Sequence, residues 1–356
     1  MSDILVIGGG VAGLSAAAFL SETAKVTVIE AETGLGYHTS GRSAALYEES
    51  YGAPSVTALN RAAKGYLFDG GYLSTRGLML VGTRDNADQF DHDMVSMGLD
   101  PLDRDEMLAQ IPILNPEVVT RGGWHEAAWD IDTDRLLQDF ARTVRAAGGA
   151  VRTGLRVSSI RRDGAEWRVT AGEEEFSAPL LVNAAGSWAD GIARMAGVAP
   201  LGLQPYRRSM ARIPAPGGHD VSGWPMMFGP GEEWYAKPDA GALLVSPAEE
   251  HPMDPHDAFA DDMVLAEGLA RYEAVVTTPV NRLLTSWAGL RTFAPDRTLV
   301  LGPDPAAPGF VWSAGQGGYG FQTSAAAGRL VADLVGGRPS ELDPEIVAAL
   351  SPARFR

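Results

Sequence analysis

The sequence predicts an α/β (α+β) protein: a parallel sheet with helices on its faces, joined to a second unit built on a mixed sheet. Three observations carry that expectation. Near the N-terminus, "DILVIGGGVAGLSAAAFLSETAKVTVIE" reads as strand, glycine turn, helix and second strand. Two later apolar runs, Leu180–Asn183 and "GFVWSA", suit strands that return to the same buried sheet. The stretches 46–129 and 200–284 are rich in Pro, Trp, Tyr and Met and fit a separate mixed sheet.

Taken in order, Ile4 to Ile7 form a continuous apolar run, as expected of a parallel strand covered on both faces. Gly8 and Gly10 allow a tight turn that brings the backbone against a pyrophosphate, and Gly13 lets the helix pack close to the strand. Glu30 ends the second strand, where an acid can hydrogen-bond a ribose hydroxyl. A carboxylate there disfavours a 2′-phosphate and leaves NAD and FAD equally open. Together these features make a Rossmann-like dinucleotide site. Further on, "DIDTDRLLQDFARTVRAAGG" predicts a helix capped by Asp132 or Thr133 and closed by glycine. The following stretch reads as short strands up to Leu180–Asn183.

A second glycine pattern, "SAGQGGYGFQTS", places Gly315, Gly317 and Gly320 in the same G-x-G-x-x-G spacing. A helix fits as far as about Val335, but "GGRPSE" ends it, and no strand with a terminal acid follows. This is therefore not a second Rossmann half. It is a strand, a turn and a helix N-terminus whose free N–H groups and positive dipole end suit a partial negative charge.

Composition narrows the function. The 356 residues, 45% of them hydrophobic, supply a sizeable core. A formal charge of −16 repels nucleic acid and anionic lipid surfaces. The absence of Cys excludes disulfides, thiolate metal sites and cysteinyl cofactor links. The histidines lack ligand spacing, so no metal is expected. There is no internal repeat, no signal-peptide pattern and no run near the roughly 18 apolar residues a membrane helix needs. A cytoplasmic location is expected.

Eight stretches in order along the chain, "VIGGGVAGLSAA", "GYHTSGRSAALY", "DIDTDRLLQDF", "LLVNAAGSWAD", "PLGLQPYRRSM", "WYAKPDAGALLVSP", "WAGLRTFAPD" and "GFVWSAGQGGYGFQTSAA", resemble the FAD-dependent D-amino-acid oxidase superfamily. Within it they look most like the D-arginine and D-amino-acid dehydrogenases. The resemblance implies one non-covalent FAD touched by both ends of the chain. It also implies a discontinuous cofactor domain (1–45, 130–199 and 285–356) and a substrate domain (46–129 and 200–284). The implied reaction is oxidation of the Cα–N bond of a D-amino acid by hydride transfer to flavin, giving an imino acid, then a 2-oxo acid and ammonia. The electron acceptor would be a quinone, a carrier or oxygen. A glycine- or sarcosine-type amine oxidase and a non-catalytic flavoprotein subunit are the alternatives.

An amino-acid substrate needs its carboxylate anchored, and the planar fork of arginine does this bidentately. By the matching motifs Arg291 comes first and Arg208 second, with Arg207 its competitor. Tyr51 and Tyr235 match tyrosines that hold the carboxylate or close the pocket. Expected cofactor contacts, besides the glycines and Glu30, are His38, Ser40, Arg42 and Ser43 in the second stretch, and Val157, Ala185, Gly186, Trp188 and Gly289. Gly318, Tyr319 and Gln322 join them on the C-terminal turn. Leu78 stands where relatives tuned to D-arginine carry a glutamate, and Leu46 is apolar where some are polar. Apolar D-amino acids are therefore expected to be preferred, unless Glu48 or Glu49 points inward.

Overall fold

The computed structural model describes residues 2–356. Its first sheet has six strands in the order Val300–Pro303, Phe310–Ala314, Leu180–Asn183, Ile4–Ile7, Val26–Ile29 and Ala150–Arg152. Every pairing is parallel except that of the edge strand Val300–Pro303. Ile4–Ile7 and Val26–Ile29 are buried at every position because both faces are covered. Helices Val11–Leu20, Thr133–Ala146 and Ser324–Gly336 close one face around Val6, Val28, Leu14, Phe140 and Leu330. A meander of strands from Val157 to Ala178 and the helix Ala189–Met195 close the other, around Leu5, Trp167 and Ile192.

Of the two cap candidates for the helix Thr133–Ala146, Asp132 takes the role, its carboxylate accepting from the Arg135 N–H. After the second glycine turn come only the helices Ser324–Gly336 and Pro344–Leu350 and a short 3-10 turn, and no further strand. The second motif is thus a turn into a helix, as the sequence indicates.

The second sheet has nine strands and is mixed, with Met226–Phe228 and Leu78–Gly82 parallel and the rest antiparallel. Its residues alternate between two cores with the period of a pleated strand. Met79 and Val81 join Trp224, Ile213 and Tyr272 on the outer face, while Leu78 and Leu80 join Met210, Phe228 and Tyr235 on the inner one. The strand Thr285–Phe293, read from sequence with the cofactor side, pairs along its length with Gln204–Pro214 in this sheet. It also meets the cofactor side directly. Thr39 donates to the Leu290 carbonyl at 2.8 Å, and Trp287 donates to the Arg42 carbonyl at 3.1 Å. No helix among the described residues is long and apolar enough to cross a membrane.

Candidate active site

Two parallel strands end at one level, because Ile7 pairs with Asn183, and the third, with Trp312 opposite Asn183, runs on to Ala314. The turns that follow them open side by side on a cleft of about 450 Å³. Gly8 has φ +113°, and a Cβ there would lie 2.3 Å from the Ala184 carbonyl oxygen. A Cβ on Gly13 would lie 2.0 Å from the Gly8 carbonyl oxygen, so this glycine serves the strand–helix approach and does not line the cleft. Gly10 supplies no side-chain cap to the helix Val11–Leu20, whose first N–H goes to Ser40, and Gly10, Val11 and Ala12 stand in the cleft wall. A helix N-terminus opening on a glycine cradle fits a pyrophosphate.

Around that cradle lie Glu30, His38, Ser40, Arg42, Ser43, Val157, Ala185, Gly186, Trp188, Gly289, Gly317, Gly318, Gly320 and Gln322, all lining the cleft. Glu30 accepts from the Gly9 N–H at 2.5 Å and from the Glu32 N–H at 2.8 Å, which holds its carboxylate at the strand end. Ser40 accepts from the Val11 N–H at 3.0 Å. His38 lies against Trp188, ring centroids 4.7 Å apart, with Nε2 3.2 Å from Glu32. Two expected contacts stand behind the wall: Gly315, and Tyr319, whose ring packs on Tyr51 at 5.4 Å. Arg42 is occupied otherwise than expected. Its guanidinium bonds the carbonyls of Ala258 and Ala288 and the Asp257 carboxylate, clamping the roof to the cofactor loop.

A smaller chamber of about 110 Å³ adjoins the cleft and shares Ser43, Ala44, Ala45, Leu46, Arg208, Tyr235, Arg291, Gly318 and Gln322 with it. Strand register explains its arginines. Tyr206 lies opposite Arg291 and Arg208 opposite Gly289, so both arginines project from the inner face. Arg207 projects from the outer face, 3.6 Å from Glu249 and 3.2 Å from His251. The choice between neighbours in "YRRSM" is thus made by pleat, which the sequence does not disclose.

The two inward arginines are short of partners. Arg208 reaches Glu250 at 3.3 Å, but Nε and Nη1 are buried without hydrogen bonds. Burial and the neighbouring Arg291 charge push its pKa down. The Arg291 guanidinium has no hydrogen bond or ion pair among the described residues. Burial works to lower its pKa, but Tyr235, Tyr51, Glu232 and Glu250 outweigh it and the net displacement is upward. Burial raises the Tyr51 phenol, which donates to Glu232 at 3.2 Å. Two adjacent half-buried cations with spare donors, flanked by tyrosines, suit an anion.

The chamber's remaining wall is mostly apolar: Leu46, Leu78, Met97, Met226 and Phe228. Glu48 also lines it, 6% exposed, its carboxylate accepting from Ser50 N–H and lying 3.7 Å from His125. Glu49 instead faces Lys64 and Arg61 outside. Glu232 and Gln316 are lining residues that the sequence did not single out. Glu232 sits at φ +54° in a turn, and nothing local advertises its proximity to Tyr51. Among the described residues no cluster of three potential metal-ligating side chains occurs.

A glycine cleft at the ends of parallel strands, beside an arginine-lined chamber, is the site of a dinucleotide-binding fold. The chain belongs to the DAO family, FAD dependent oxidoreductases, whose model matches residues 3–334. FAD is its cofactor, and the helix N-terminus and glycine cradle fit it. The hydrogen cyanide synthase subunit of Pseudomonas aeruginosa is 28% identical over 212 residues. That alignment covers 58% of this chain and 46% of the relative, so this chain spans under half of the relative's length. Glycine oxidase from Geobacillus kaustophilus has the same fold, with TM-score 0.84, 22% identity and 98% of each chain covered. So has L-proline dehydrogenase from P. horikoshii, with TM-score 0.83, 21% identity, and 99% of this chain and 97% of that one covered.

Proposed function

We propose that the protein oxidises the Cα–N bond of an amino acid, with a D-amino acid as the substrate, and releases an imino acid that water converts to a 2-oxo acid and ammonia. The observation that carries this reading is the pair of half-buried, under-partnered arginines, Arg291 and Arg208, beside a cofactor cleft. Their forks take the substrate carboxylate, and the Tyr51 and Tyr235 hydroxyls lie where they can complete the anion site. Gly289, opposite Arg208 in the sheet, lines the cleft without a side chain and leaves room beside the arginines. The apolar walls exclude water and hold the side chain. FAD, when bound, supplies the hydride acceptor. No side chain need act as base if the amine arrives neutral.

The division into a cofactor part and a roofing part belongs to the same proposal, with Arg42 as one of the links between them. A second reading, oxidation of glycine, sarcosine or another small secondary amine, is favoured by the small volume of the chamber. The fold shared with a glycine oxidase is compatible with it. Anaerobic mixing with D- and L-amino acids, glycine and sarcosine separates the readings. Bleaching of the flavin absorbance by D-amino acids supports the first, and bleaching by glycine or sarcosine alone supports the second.

A further inference from the structure

Beneath the chamber lies a buried charge that the proposed reaction does not use. Lys237 follows Tyr235 by two positions on the strand Tyr235–Asp239, so both side chains leave the same face. The lysine is 7% exposed. Its Nζ donates to the carbonyls of Ala44 and Ala45, each at 3.1 Å, and lies 2.7 Å from the Asp130 carboxylate. Asp130 is gripped in turn by Arg76 at 2.6 Å, and Arg76 donates to the carbonyls of Ser222 and Trp224. Burial lowers the lysine's pKa, and Asp130 opposes that displacement.

Stability is a weak account of this arrangement, since a buried ion pair replaced by apolar residues frequently costs a fold nothing. Its location suggests a better one. Ser43, Ala44, Ala45 and Leu46 form a wall common to the cofactor cleft and the chamber. Alanine side chains offer no polar anchor, and both carbonyls accept from one ammonium, that of Ala45 also taking the Ile131 N–H at a long 3.5 Å.

We propose that Lys237 is a positioning residue, whose ammonium fixes the Ala44–Ala45 segment and so sets the wall shared by FAD and substrate. The idea rests on the reading of the chamber as the substrate site. Its first readout does not, because the spectrum of bound FAD is taken without substrate.

The test compares three holoenzyme variants: Lys237→Met, Lys237→Arg and Asp130→Asn. Asp130→Asn removes the ion pair but leaves both carbonyl bonds, since even a neutral amine has two N–H donors. Lys237→Met removes both bonds. The expected result is a separation of the two variants. Lys237→Met shifts the visible flavin bands and lowers kcat/KM about tenfold to a hundredfold, chiefly in kcat, as misplaced reacting groups do. Lys237→Arg recovers part of the loss. Asp130→Asn loses thermal stability yet keeps the wild-type spectrum and rate. If Lys237→Met and Asp130→Asn change spectrum and rate alike, Lys237 is half of a core ion pair and the proposal is overturned. Should Lys237→Met not fold, a changed spectrum in Asp130→Asn overturns it equally, and wild-type spectra in both other variants support it. A spectral change without turnover of any amino acid would sink the substrate reading and leave the positioning role standing.

Discussion

The cofactor cleft and the arginine-lined chamber adjoin one another but are built differently. The cleft is made largely by main chain: glycines, a helix end and strand ends that parallel pairing brings side by side. The chamber is made by side chains from strands far apart in sequence: Leu78, Arg208, Phe228, Tyr235 and Arg291, with Glu48 and Tyr51 from a nearer segment. A site of the first kind is written locally and fails when backbone is obstructed. A site of the second kind exists only after folding, and its parts can be exchanged with graded effects.

The sharpest way to break the comparison is at Gly8. A Cβ there meets the Ala184 carbonyl oxygen at 2.3 Å and a φ of +113°. Gly8→Val is expected to yield protein with almost no bound flavin, read as absorbance near 450 nm relative to protein. Full flavin content would show that the cradle is not the cofactor's.

A graded effect is expected at Arg291. Arg291→Met should cost about 3–5 kcal/mol of transition-state stabilisation, because a buried carboxylate loses its charge-assisted partner. FAD content should stay near normal, and an unchanged kcat/KM would remove Arg291 from the site. The adjacent arginines then sharpen the contrast. Arg208→Met should cost about 1.5–3 kcal/mol in kcat/KM, while Arg207→Met, on the opposite face, should change stability and leave kcat/KM alone. Equal losses from the two would mean that the pleat does not select between them.

The smallest expected effect concerns side-chain choice. With Leu78 and four other apolar residues around the chamber, D-Leu, D-Met or D-Phe should exceed D-Arg and D-Lys in kcat/KM. Each buried methylene contributes about 0.8 kcal/mol, and Leu78→Glu should move the ratio toward the cationic substrates. Glu48 is the residue that can reverse this, since burial raises its pKa and, among the described residues, the close partners of its carboxylate are Ser50 and His125. A preference for D-Arg that disappears in Glu48→Gln would transfer the specificity role to Glu48.

The same contrast explains what could be read from the sequence. Gly8, Gly10, Gly13 and Glu30 were legible because strand, turn, helix and acid follow one another in the chain. The second glycine run was legible as a helix entry because no strand follows it. Arg291 and Tyr235 came through matching motifs, but Arg207 and Arg208 could not be separated without the strand's facing. Lys237 was silent, its partners being at 44, 45 and 130. Arg42 illustrates the converse: it stands in the right loop, yet its guanidinium is taken up by Asp257, Ala258 and Ala288, residues distant in sequence.

The central claim, that the arginine pair presents an amino acid to the flavin, is tested most directly by anaerobic titration of the holoenzyme with D-amino acids, followed by flavin absorbance. The account predicts bleaching by at least one D-amino acid in the wild type and a large loss of its rate in Arg291→Met at unchanged FAD content. A flavin that dithionite bleaches, but that no amino acid, glycine or sarcosine does, would contradict it.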